Sequence, residues 1–184
     1  MARIQHKRAR VVRVGPTLHR LNGEISVSGA LSSADEIREL GRLGYRSMVD
    51  LRGAGELVTG LSPAEERLEV EACGLSYRCI PVALWSLGSQ TIIEVRLALW
   101  AADAPLLLHC DSGRRASLCA LVHIGCQQGW TLEQCLAVDR EHGLEVQATP
   151  KLRDFLSDYM PRHSRAYMRP VQARRDRPQL SYHI

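Results

Sequence analysis

The stretch Pro105-Leu106-Leu107-Leu108-His109-Cys110-Asp111-Ser112-Gly113-Arg114-Arg115-Ala116-Ser117-Leu118 decides the fold. Consecutive leucines suit a strand buried on both faces. The polar loop 111–113 ends that strand, and the apolar run 118–124 that follows reads as a helix. A strand that enters a helix through a short glycine loop is a unit of a parallel α/β sheet, and ligands of such sheets bind beyond the carboxyl ends of the strands. Cys110 stands at that end.

Outward from this unit, helix starts recur along the chain. Capping-box patterns open at Ser33, Ser62, Thr91 and Thr131, and Thr149-Pro150 starts a further helix with Leu152, Phe155, Leu156 and Tyr159 on one face. Gly44, Gly74 and Gly143 mark helix ends. After Ser62 the apolar residues expected to face inward are Leu68 and Cys73. Short apolar runs at 25–28, 47–51, 76–82 and 106–110 read as strands. The alternation predicts a three-layer α/β fold, a mostly parallel sheet flanked by helices. The expected organisation is a basic N-terminal extension at 1–13, one domain at 14–160 and a basic C-terminal tail at 161–184.

Composition agrees with one such domain. The 184 residues are 45% hydrophobic and only 5% aromatic, with a single Phe, so the core must be aliphatic. No apolar run is long enough to span a membrane, and the N-terminus shows no signal-peptide pattern, so a cytoplasmic protein is expected, without membrane partners. The net charge of +4 reflects 24 Lys plus Arg against 20 Asp plus Glu, with the excess near both ends. Without an aromatic platform or binding motif, nucleic-acid recognition is not expected. The six cysteines have no metal-ligand spacing, so no metal is expected, and most of them read as small core residues.

Cys110 differs by its context. A thiol at a strand end faces the backbone N–H groups of the loop and the positive end of the next helix, which favours the thiolate. The same donors and the planar fork of Arg115 would cradle a tetrahedral anion. Gly113 lets the backbone turn close to that anion. Trp85 reads as a hydrophobic lip of the pocket.

The stretch 14–117 resembles the bacterial branch of the dual-specificity and protein tyrosine phosphatase superfamily. The likeness rests on Gly15-Pro-Thr-Leu18, on Ser28-Gly-Ala-Leu-Ser32, on Gly44-Tyr-Arg-Ser-Met-Val-Asp-Leu-Arg52, and on the loop His109-Cys110 followed by Arg115-Ala116-Ser117. Gly129-Trp-Thr-Leu-Glu-Gln-Cys-Leu-Ala137 extends it into the following helix. The resemblance implies a cysteine-phosphatase-like fold and hydrolysis of a phosphate monoester through a phosphocysteine, without a cofactor. Carried over, Cys110 is the nucleophile and Arg115 the phosphate and transition-state ligand. His109 tunes the thiol, Ser117 or Ser112 assists its release, and Asp111, Ser112, Gly113 and Arg114 line the substrate. Arg52 and Glu56 are expected to form a structural pair beneath the site. The partner implied is a phosphorylated protein or small molecule.

Two features separate the chain from the standard pattern. Four residues, not five, stand between Cys110 and Arg115, a length also used by rhodanese-type sulfurtransferases and by some members of the phosphatase-like branch. The segment 81–91, where an acid would protonate the leaving group, contains no carboxylate. Asp111 is the nearest substitute. A sulfurtransferase carrying a persulfide on Cys110, or a weakly catalytic phosphate-binding module, therefore stand as alternatives.

Overall fold

The computed structural model describes residues 17–164, apart from 54 and 57–59. The expected extension at 1–13 and most of the tail at 161–184 lie outside the described residues. Five strands, β1 (His19–Arg20), β2 (Ile25–Ser28), β3 (Ser47–Asp50), β4 (Ser76–Cys79) and β5 (Leu106–His109), form one sheet in the order β1-β2-β5-β3-β4. All pairings are parallel except that of β1 with β2. β5 is central, bonded to β2 and β3, so its leucines are buried on both faces, as the run 106–108 predicts. The two-residue β1 is too short to leave a periodic signal.

The six α-helices among the described residues are α1 (Ala34–Arg42), α2 (Pro63–Ala72), α3 (Ser89–Ala101), α4 (Arg114–Gln128), α5 (Leu132–His142) and α6 (Pro150–His163). Ser62 and Thr131 make reciprocal capping boxes with Glu65 and Gln134. Ser33 caps α1 on one side only, because the Glu36 carboxylate turns instead to the backbone N–H and hydroxyl of Ser32. Thr91 is not a cap: α3 begins two residues earlier behind Gly88, and the Thr91 hydroxyl donates to the Ser86 carbonyl.

Two apolar clusters hold the layers together. One packs Val27, Leu108 and Val49 against α3, α4, α5 and α6; the other packs Met48 and Leu107 against Ile37 and Leu40 of α1 and Val70 of α2. Helix α4 runs through the larger cluster with every residue from Ala116 to Cys126 buried. The inner face of α2 is Glu66 and Val70, four apart, while Leu68 is 69% exposed. A carboxylate thus occupies a core position that the expected apolar face gave to Leu68.

Candidate active site

Cys110 follows the last residue of β5 and is fully buried. Gly113 caps α4 with φ +85, so the chain reverses within three residues of the thiol. A Cβ on Gly113 would lie 3.2 Å from the Ser28 carbonyl, and one on Gly29 would lie 3.1 Å from the Asp111 oxygen. This close approach lets the Ala30 N–H donate to the Asp111 carbonyl at 2.9 Å, which fixes the loop against the end of β2. With that carbonyl turned toward β2, the first turn of α4 is left to offer N–H donors to an anion.

Arg115 is aimed by backbone and carboxylate together. Its Nη1 donates to Glu56 Oε1 at 2.7 Å and to the Val82 carbonyl at 2.9 Å, and its Nη2 donates to Glu56 Oε2 at 2.6 Å. A guanidinium has five N–H donors, and these bonds use the edge shared by Nη1 and Nη2. Among the described residues no oxygen accepts from the Nε–H, so the edge formed by Nε and Nη2 remains open. The Glu56 bonds are the main reason that the Arg115 pKa is raised, and the Cys110 sulfur adds to the shift by charge and hydrogen bonding. The same contact with Arg115 holds the Glu56 carboxyl below its ordinary range, so Glu56 is ionised and has no proton to give at neutral pH.

Arg114 lies on the other side of the loop, its Nε donating to Glu145 Oε2 at 2.9 Å and its Nη2 in ion-pair contact with the same oxygen at 2.8 Å. Asp111 and Ser112 are exposed. The Ser117 hydroxyl donates to the Gly113 carbonyl at 2.9 Å, four residues back, so in this structure it is spent on the helix start and is not bonded to the thiol.

His109 points away from the thiol's helix, into a buried ionic cluster beneath the loop. There Arg52 donates from Nε and Nη2 to Asp50, from Nη2 to Glu66 Oε2 at 2.8 Å and from Nη1 to the Leu61 carbonyl. His109 Nε2 lies 3.1 Å from Glu66 Oε2, and Tyr77 donates its hydroxyl to Asp50 Oδ2 at 2.9 Å. Burial alone would raise the Asp50 pKa, but the bonds from Arg52 and the charge of His109 outweigh it and hold the carboxyl below its ordinary value. Asp50, Glu66 and His109 offer ligand atoms within 4.8 Å of one another, yet Arg52 already supplies the cation that they hold.

The expected Arg52–Glu56 pair does not form. Side chains alternate along an extended chain, so Arg52 shares the face of Asp50 and turns under the sheet. Glu56 folds back in a turn, accepting from the Gly53 N–H, and reaches Arg115. Glu66, Tyr77 and Glu145 were not candidates by sequence. Only Glu66 left a signal, as the charged residue at a core spacing from Val70.

The segment 81–91 sits beside this site through the Val82 carbonyl. It forms a 3-10 turn at Leu84–Ser86 that leaves Trp85 86% exposed. A phosphatase-like domain model matches residues 17–128, well over half of the chain. The chain belongs to the family of the beta-lactamase hydrolase-like protein, phosphatase-like domain. A beta-lactamase hydrolase-like protein of Xylella fastidiosa is 31% identical over 96 residues, which are 52% of this chain and 22% of that protein. The chain therefore spans about a fifth of the length of this curated relative. Among solved structures, TpbA of P. aeruginosa superposes with a TM-score of 0.66 at 19% identity, over 82% of this chain and 89% of that one. The core catalytic domain of the PP-IP phosphatase SIW14 from S. cerevisiae gives 0.62 at 18%, over 88% and 94%. TpbA also has a structure in complex with pTyr, at a TM-score of 0.60 and 17% identity, over 83% of this chain and 99% of that one. The family and the fold thus agree with the resemblance read from the segments 15–18, 28–32 and 44–52 and the loop.

Proposed function

We propose that the protein is a cysteine-dependent phosphatase in which Cys110 attacks a phosphate monoester and Arg115 binds the equatorial oxygens. The observation that carries this reading is the open Nε and Nη2 edge of Arg115, held beside the Cys110 sulfur by Glu56 and the Val82 carbonyl. Two parallel donors on one rigid edge match two oxygens of a phosphoryl group. Together with the N–H groups at the start of α4 they stabilise charge on the transferring group without a proton. The sulfur takes the phosphoryl group as the ester bond breaks, and water then displaces the phosphate from Cys110. His109 supports the strand end from below, and Ser117 supports the loop. We place the protein in the cytoplasm, since all six cysteines are free thiols.

With Glu56 ionised and no carboxylate in 81–91, the leaving oxygen departs on its own acidity. Purified protein should therefore cleave activated aryl phosphates and scarcely touch alkyl phosphates, and Cys110→Ser should remove the activity. Transfer of sulfur from thiosulfate to cyanide, dependent on Cys110 and without phosphate release, would overturn the phosphatase reading in favour of a persulfide carrier.

A further inference from the structure

Outside the loop, the connection between α5 and α6 is built with unusual care for a surface segment. Asp139, buried on α5, accepts from the Val146 N–H at 2.9 Å, from the Gln147 N–H at 3.0 Å and from the Gln147 side chain at 3.1 Å. Leu144 and Val146 are buried on either side of Glu145. Glu145 itself is the one residue other than glycine with positive φ among the described residues, at +64. A left-handed glutamate is strained, and an exposed ion pair contributes little to stability in return. Strain of this kind is retained where it positions a group for use. Here it sets the Glu145 carboxylate against the Nε and Nη2 edge of Arg114, the first residue of α4 and the neighbour of Arg115. A cleft of about 490 Å³ opens at this point, lined by Thr17, His19, Ser28, Asp111, Ser112 and Glu145 among others.

Arg114 would otherwise be a second anion fork beside the first. We propose that Glu145 sets the charge specificity of the loop: by occupying Arg114 it confines recognition to one phosphate and excludes ligands with a second phosphate next to it. This rests on the reading of the loop as a phosphate site. Two carboxylates, Glu145 and Asp111, line the cleft beside the loop, so a second phosphate on that side would meet like charge. The substrate class is then a single phosphate flanked by neutral or cationic groups.

Calorimetric titration of the full chain with inorganic phosphate and with methylenediphosphonate tests this. Wild type should bind the diphosphonate no better than phosphate. Glu145→Gln should raise diphosphonate affinity about five-fold and change phosphate affinity by less than about two-fold. Glu145→Asn, which tolerates the left-handed backbone, should repeat the result. Adding Arg114→Ala to Glu145→Gln should remove the gain. An unchanged ratio of the two affinities in both variants, or a gain that survives Arg114→Ala, overturns the proposal while leaving the phosphate site intact. Failure of every form, wild type included, to bind inorganic phosphate overturns the loop reading and this proposal with it.

Discussion

Arg52 and Arg115 lie near the ends of the same strands, Arg52 toward α2 and Arg115 on α4, and each is gripped by carboxylates. Arg52 gives its Nε and Nη2 edge to Asp50 and its remaining Nη2 hydrogen to Glu66, all three side chains fully buried, and an Nη1 hydrogen to the half-buried Leu61 carbonyl. Arg115 uses the opposite edge on Glu56 and keeps a side-chain exposure of 12%. The residue type and the kind of partner are the same; the edge left over differs. A guanidinium with its edges filled holds a fold together, and one with an edge open toward a thiol can hold a substrate.

Removing each arginine separates the two roles. Arg52→Ala leaves two carboxylates buried without their cation, and loss of one partner from such a cluster costs about 3–5 kcal/mol. Urea unfolding should show that loss. Arg115→Ala should instead lower kcat/KM for an aryl phosphate by about 10²–10³-fold, the scale of one preorganised donor set, with a small change in the unfolding midpoint. If Arg115→Ala proves the more destabilising and the folded Arg52→Ala protein the less active, the two roles are reversed.

A buried group without a carboxylate partner sharpens the same contrast. His123, 4% exposed on α4, has its pKa pulled down to about 4 by burial and by the charge of Arg96. Unfolded histidine titrates near 6.5. The unfolded chain therefore takes up this proton first, so stability is full above about pH 6.5 and falls as the pH drops toward 4, by about 2 kcal/mol at pH 5. The depressed carboxyl of Asp50 contributes stability above its ordinary range and loses it only at lower pH, so the two windows separate. Urea titrations at pH 7 and pH 5 should show a smaller difference in His123→Gln than in wild type. An equal difference would mean that His123 takes up its proton in the folded protein as readily as in the unfolded chain.

These particulars also show what the sequence made legible. Local signals were sound where one side chain satisfies one backbone group, as at Ser62 and Thr131. They failed at Thr91, because the true cap of α3 is Gly88, which has no side chain to announce it. The loop 110–115 was readable because strand, glycine and helix are contiguous. The partner of Arg115 was not, since Glu56 lies 59 residues away and is brought in by the pairing of β3 with β5. Spacing along the chain suggested Arg52 for Glu56; alternation of side chains across the sheet assigned each to a different partner.

The smallest expected effect is the most direct test of the open edge. Arg114 and Arg115 are adjacent and equally charged, and a view of the loop as a basic patch would assign them similar parts in binding phosphate. Arg114, however, donates its Nε to Glu145 with Nη2 in ion-pair contact, so its Nε side is occupied where that of Arg115 is free. The Arg114–Glu145 pair is about half exposed, at 48% and 58%, so its removal should change stability by less than about 1 kcal/mol. Arg114→Ala should accordingly weaken phosphate binding by less than about three-fold, through loss of long-range charge alone, and that loss should shrink further in added salt. Titration of inorganic phosphate against Arg114→Ala and Arg115→Ala at two ionic strengths measures this. Were Arg114→Ala to abolish binding while Arg115→Ala only weakened it, the fork would belong to Arg114, and a phosphate would have to displace Glu145 to reach it.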